Sequence, residues 1–279
     1  MSDAAIELEF ARMHQSLIEE PEQGKASDLV KGVNKKCTFV VFMIGMFQQI
    51  TGQAFAAQYR AVFIKSLGTI NPCAMTLSNS CISASAIICT LLTVDKIGRR
   101  RLLLVGSVIQ CAALCTMGGL GVQKPTSYAH KSGIVACLSI FVYGFGSSWG
   151  PLTFVVVTEL PALRLRDKSQ RVGALTNILF NFLVNFTIPY LLNAPYAALE
   201  RKVGFIYGSS SFAAFWFVYF YVPECRGRSL EEIDIMFHEG VPLRKFKDHP
   251  RLRIEVRPGD EVDEAKLAVS SQAIHLEDK

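Results

Sequence analysis

At 279 residues, the chain is 50% hydrophobic and only 19% charged, with a mean hydropathy of +0.29. The apolar residues are gathered into long blocks between two polar ends rather than into one-sided stripes, which excludes an ordinary soluble domain. A formal net charge of +5 is too small to argue for nucleic acid, although its placement along the chain carries information.

Residues 1–36 are polar. Within them Ile6, Phe10, Met13 and Leu17 recur at helical spacing over residues 4–20 and stop before Pro21, which predicts a short cytosolic helix with no span of its own. Met1 to Glu9 is acidic and polar, unlike the basic-then-apolar order of a secretory leader, so insertion is expected to use internal spans. Six apolar blocks follow, at residues 37–63, 74–94, 102–122, 134–157, 172–192 and 203–222. Each is long enough to cross a bilayer. The predicted fold is therefore all-α and integral to the membrane, with six transmembrane helices over residues 37–222, a cytosolic segment over 1–36 and a cytosolic tail over 223–279. Beyond Phe237 the tail is charged and Pro-containing, and no packed element is expected there.

Eight cysteines lie mostly within the blocks and show no paired CxxC spacing. They read as small apolar residues, with no metal site or cofactor implied. The sequon at Asn185 falls inside a predicted span, out of reach of glycosylation. Basic residues alternate from one loop to the next. Lys31, Lys35 and Lys36 precede the first span, Lys96, Arg99, Arg100 and Arg101 follow the second, Arg164, Arg166, Lys168 and Arg171 follow the fourth, and Arg226 and Arg228 follow the sixth. The intervening loops carry only Lys65, Lys124 with Lys131, and Arg201 with Lys202. The bias of Lys and Arg towards the cytoplasm then places both termini inside the cell.

Several motifs sit at the ends of these spans. Asp95-Lys96-Ile97-Gly98-Arg99-Arg100-Arg101 joins the second and third: Gly98 permits a tight reversal, and the arginines offer forked donors to carboxylates. Thr158-Glu159-Leu160-Pro161 and Arg164-Leu165-Arg166-Asp167-Lys168 follow the fourth, and Pro223-Glu224-Cys225-Arg226-Gly227-Arg228-Ser229-Leu230-Glu231-Glu232-Ile233-Asp234 follows the sixth. The first span holds Gln48-Gln49-Ile50-Thr51-Gly52-Gln53, then Gln58 and Tyr59. Amides are unfavourable in hydrocarbon unless they meet partners or a wet cavity, so this cluster is expected to point inward. Amides also suit sugars, because each presents donors and acceptors together.

Taken together, these segments resemble the sugar porters of the major facilitator superfamily: the D-x-x-G-R-R loop, the QQ-x-[ST]-G segment, the Glu-Pro-Arg pattern and the PETKGRSLEEID ending. Gly150-Pro151-Leu152-Thr153-Phe154 is similar to the family's GP-x-x-W, with the helix expected to break at Gly and Pro, and Asn177 and Asn181 match its paired asparagines. Because the ending belongs to the second half of such carriers, the resemblance implies a C-terminal six-helix half, spanning about residues 37–237. The wording of Gln53 to Gln58 and of Leu165-Arg166-Asp167-Lys168 resembles fungal α-glucoside porters.

What the resemblance implies is transport of a sugar or polyol by alternating access in a plasma membrane, without enzymatic activity. Gln48, Gln49, Gln53, Phe154, Asn177 and Asn181 would line the substrate site, joined by Ser83, which falls where many members carry an asparagine. Asp95, Arg99, Arg100, Glu159, Arg166 and Glu224 would form a cytosolic gating network. Ala54, Phe154 and Cys225-Arg226 depart from the family's Asn, Trp and Thr-Lys. The first two remove hydrogen-bonding groups and count against simple hexose recognition. Partners implied are the lipid bilayer and a missing N-terminal half or second copy, without which the chain is expected to transport nothing. A nontransporting sugar sensor and an assembly half of a larger membrane complex are the alternatives. A membrane enzyme is disfavoured by the lack of a catalytic constellation within any span.

Overall fold

The computed structural model describes residues 26–32, 34–57, 72–122, 128–161, 165–192, 202–224 and 226. They belong to one compact unit, Met1–His249, and the second unit, Pro250–Lys279, lies outside them. The helix expected over residues 4–20, Gln58, Tyr59 and the tail beyond Phe237 also lie outside the described residues.

Every regular element among the described residues is helical. A 3-10 turn, Ala26–Val30, leads into α1 (Asn34–Ile50); α2 (Pro72–Ile97), α3 (Arg99–Val122), α4 (Tyr128–Gly146), α5 (Trp149–Glu159), α6 (Arg166–Leu192) and α7 (Val203–Tyr221) follow. Six stretches are long and apolar enough to cross a membrane, with α4 and α5 together supplying the fourth, Ser132–Glu159. Helices α3 and α6 begin three and six residues before the apolar blocks at 102 and 172. Arginines and lysines in their first turns can keep their charged heads wet while their stems lie along the helix.

Small residues set the packing. With no hydrophobic drive between helices in lipid, close backbone approach supplies the contact energy. A Cβ on Gly45 of α1 would stand 3.2 Å from the Gly173 carbonyl of α6, and one on Gly204 of α7 would stand 2.7 Å from the Leu114 carbonyl of α3. Two apolar clusters fill the bundle. One joins Val41, Ile44, Leu103, Trp149, Leu152 and Val218, and the other joins Phe55, Leu114, Met117, Leu138, Phe141 and Ile188.

Two spans are interrupted. In the first, α1 ends at Thr51 and Gly52, where φ is +101°, and helix resumes over residues 53–57. The fourth breaks at Ser147 and Ser148, not at Gly150 and Pro151 as the sequence suggested. Proline is tolerated in the first turn of a helix, where its missing N–H has no intrahelical partner, so Pro151 sits inside α5 and the discontinuity moves upstream. The Ser147 carbonyl, four residues before Pro151, instead accepts a bond from Thr90 Oγ1 at 2.8 Å. Trp149 is anchored behind the break, its Nε1 donating to Ser107 Oγ at 2.8 Å.

Burial is uneven across the bundle. Of the apolar window of the first span, 67% is buried, against 17% for α2 and 17% for α6. Among the described residues these two helices are therefore the least covered of the spans.

Candidate functional site

The sequence-selected residues fall into three groups. The charged group gathers at the ends of α2, α3, α5 and α7. Gly98, at φ +99°, turns the chain from α2 into α3, and a Cβ there would stand 2.6 Å from Glu224 Oε2. The Glu224 carboxylate thus lies against the N-terminus of α3, where the helix dipole favours a negative charge. Arg99 bonds Glu159 at 3.0 Å and Asp95 at 3.2 Å. Asp95 is 81% exposed and Glu159 only 26%, so the Glu159 pair is the shielded one and Asp95 contributes little. Arg100 donates to the Tyr219 carbonyl at 2.7 Å and lies 5.6 Å over the Tyr219 ring, which ties α3 to α7. Arg166 stands apart: its Nε is buried without a partner, and it forms no ion pair among the described residues.

Both Glu224 carboxylate oxygens are shielded and neither completes a well-aligned hydrogen bond. Burial pushes this carboxyl above its ordinary value, and the backbone amides of Arg226 and Arg99 together with the charges of Arg99 and Arg100 only partly offset that effect.

A run of amides between α1 and α6 forms the second group. Gly173, Asn177, Asn181 and Asn185 recur every four residues, which places them on one face of α6. The close approach at Gly45 and Gly173 lets the short asparagine side chains reach α1. The bonds then run in one direction. Asn185 Nδ2 donates to Asn181 Oδ1 at 3.0 Å, Asn181 Nδ2 to Gln49 Oε1 at 3.0 Å, Gln49 Nε2 to Asn177 Oδ1 at 2.9 Å and Asn177 Nδ2 to Gln48 Oε1. Gln48 Nε2 closes the run on the Trp149 and Gly150 carbonyls, each at 3.2 Å, at the start of α5. Gln48 and Gln49 are buried, whereas Asn177 and Asn181 are half-exposed. An amide offers two N–H donors and an oxygen with two lone pairs, so Asn177 and Asn181 keep hydrogen-bonding capacity beyond the bonds named.

Gln53 and Ser83 belong to the third group. They line a recess of about 240 Å³ with Ala56, Asn79, Ser80, Phe141 and Phe145 among its walls. That volume lies just below the ~300–1,000 Å³ of complete small-molecule sites. Phe154 joins none of the three groups: it is 59% exposed on α5.

Sequence reasoning passed over three residues that the geometry brings in. Asn185 read only as a silent sequon, although its spacing from Asn181 continues the asparagine stripe. Thr90 carried no signal, because its partner is a carbonyl released by a distant proline. Asn79 stands one turn before Ser83, and that spacing alone could have placed it on the recess-facing side of α2.

Known proteins agree with this architecture. The family model described as "Sugar (and other) transporter" matches residues 2–237. A low-affinity glucose transporter of Kluyveromyces lactis is 28% identical over 86% of this chain and 44% of its own length. A hexose transporter of Saccharomyces cerevisiae is 28% identical over 71% of this chain and 36% of its own. A probable glucose transporter of Neurospora crassa is 31% identical over 72% and 35%. Among solved structures, the proton:xylose symporter XylE, a major facilitator superfamily protein, superposes with a TM-score of 0.64 at 24% identity, over 72% of this chain and 42% of that one. The inward-open xylose transporter XylE from E. coli gives 0.60 at 23% identity, over 72% and 41%. The chain spans less than half the length of each, and its six spans have the fold of one half of a major facilitator protein.

Proposed function

This chain belongs to the sugar (and other) transporter family, and on that premise we propose that it supplies the C-terminal half of a carrier moving a sugar or related polyol by alternating access. In this reading two six-helix units enclose a site near the membrane midplane and rock about it. The chain provides one wall.

The observation that carries the proposal is the amide run. Five amides on two facing helices are held in a fixed order, with the two half-exposed asparagines keeping spare donors and acceptors. Amides serving only as helix glue could be fully enclosed. Here Asn177 and Asn181 are positioned to meet hydroxyl groups, while Gln48 and Gln49 hold them in place from behind. Gln53 and Ser83 would contact the same class of ligand from the recess. Phe154, already exposed, would close on it from the side that a second unit brings. The retention of neutral polar groups fits an uncharged polyhydroxyl substrate.

The charged group has a separate role. Arg99, held between Glu159 and Asp95, and Glu224, seated over Gly98, would latch the ends of α2, α3, α5 and α7 in the outward-facing state and part when the carrier turns inward. Arg100 would brace α7 through Tyr219, and Arg166 would find its partner on the missing unit. The alternation of basic residues supports a cytosolic position for this latch, for residues 1–36 and for the tail over 223–279, and a plasma-membrane location is part of the same reading.

The exposed apolar faces of α2 and α6 support the need for a second six-helix unit, either an N-terminal half or another copy. Reconstitution tests this directly. The purified chain alone in liposomes should show no saturable uptake of labelled D-glucose, and uptake should appear when an N-terminal six-helix unit of a fungal hexose transporter is reconstituted with it. Saturable uptake by the chain alone would overturn the requirement for a second unit. No uptake with either arrangement, across a panel of hexoses, disaccharides and polyols, would overturn the carrier reading.

A further inference from the structure

Away from the amides and the recess, the N-terminal half of α1 carries an exposed face of its own. Lys35, Phe39 and Phe42 stand at i, i+4 and i+7, which places them on one side of that helix. All three are exposed, the two rings at 46% and 39%. Phe39 packs edge-on against Phe217 and Tyr221 of α7, with ring centres 6.2 and 5.9 Å apart, and Phe42 meets Phe180 of α6 at 6.1 Å. An aromatic strip therefore runs across α1 from α7 to α6. Tyr221, the last residue of α7, borders it and is itself 47% exposed.

Positive charge lies just beyond one end of the strip. Lys35 and Lys36 belong to the first turn of α1, are both exposed and form no ion pair among the described residues. That turn holds no acidic residue, and Asp28, the nearest described carboxylate before it, is engaged by Lys31 at 3.5 Å. Along the helix Lys35 stands about 6 Å from Phe39 and about 10 Å from Phe42, at 1.5 Å per residue. Rings at the edge of the hydrocarbon with cations one turn farther out match the two layers of a phospholipid, acyl chains below and phosphate above. Lysine stems can lie along the helix while their ammonium groups stay at headgroup level. A zwitterionic headgroup brings its own cation and gains little from two more, whereas an acidic headgroup presents a net negative charge for them to meet.

We propose that this face binds an acidic phospholipid, with its headgroup held by Lys35 and Lys36 and its upper acyl chain lying on Phe39, Phe42 and Tyr221. The rings alone would accept any lipid, and the two lysines select the acidic one. None of these residues is assigned to the substrate site or the latch, so the proposal stands apart from the carrier reading.

Native mass spectrometry of the whole chain, purified in detergent and given equal amounts of phosphatidylserine and phosphatidylcholine, tests it by weighing the lipids retained. The native chain should keep phosphatidylserine in preference to phosphatidylcholine. Lys35→Gln and Lys36→Gln should each lower that preference about threefold to fivefold, the scale of one basic residue at an acidic surface, and Lys35→Arg and Lys36→Arg should retain it. Phe39→Ala should reduce retention of both lipids while leaving their ratio unchanged. Lys202→Gln, exposed at the opposite end of α7, should alter neither. Equal retention of the two lipids by the native chain would overturn the proposal. A preference that survives the double substitution Lys35→Gln with Lys36→Gln would place the acidic lipid elsewhere and overturn it as well. Displacement of bound phosphatidylserine by an added N-terminal six-helix unit of a fungal hexose transporter would make the strip a protein interface, again contradicting it.

Discussion

Asn177 is the side chain on which the amide run turns, because it accepts from Gln49 and donates to Gln48. Truncating it removes the partner of Gln48 Oε1 and of Gln49 Nε2 at once. Asn177→Ala should therefore cost about 1–3 kcal/mol, the range for buried polar groups left unpaired, even though single interhelical bonds in membranes average only about 0.6 kcal/mol. Thermal unfolding in detergent reads this, with Asn185→Ala, at the end of the run, costing less. Glu224 makes a prediction of a different kind. Burial raises its carboxyl, so the folded chain holds that proton more readily than the unfolded one. The stability it contributes is complete below the ordinary carboxylate range and is lost as pH rises through the raised value. Glu224→Gln should flatten the melting temperature against pH over that window, leaving the remaining slope to other groups.

Among the elements, the two interrupted spans depend on single side chains at their breaks. Thr90→Val keeps side-chain shape while removing the donor for the Ser147 carbonyl that Pro151 leaves unserved, and should destabilise by about 1–3 kcal/mol. A Cβ at Gly52 would meet Tyr207 at 2.9 Å with φ at +101°, so Gly52→Ala should cost more than the usual ~1 kcal/mol for an L residue forced to positive φ. Both are read by the same melts. The six spans were legible in the sequence because apolar runs of membrane-crossing length need no tertiary context to be recognised. The Asp95 to Arg101 turn was legible too, since glycine beside arginines has few uses at a span end. The break at Ser147 and Ser148 was not. Nothing local distinguishes those serines from others in lipid-facing helices, and the proline that enforces the break lies downstream of it. Among the chosen residues, the pairing of Gln48 and Gln49 with Asn177 and Asn181 depends on the helix register set by Gly45 and Gly173, which no single-span reading contains. Arg166 and Phe154 were chosen by resemblance, and the structure joins neither to the groups they were expected to serve.

On the scale of the molecule, α2 and α6 stand least covered, with Leu91, Leu92, Leu175, Ile178 and Phe182 each more than 60% exposed. Lipid can cover such faces, but the half-exposed Asn177 and Asn181 lie on the same helix as three of them, which favours a second protein unit over hydrocarbon at that edge. In the proposed carrier the amides of α1 and α6 and the recess beside them look onto a wet pathway. Cysteine labelling reads that exposure to water. In a chain whose eight native cysteines have been replaced, expressed in cell membranes, Gln53→Cys, Ser83→Cys and Asn177→Cys should react with a water-soluble, charged thiol reagent, while Val41→Cys and Leu103→Cys, buried in the apolar core, should not. Finding the first three as unreactive as the last two would contradict the claim.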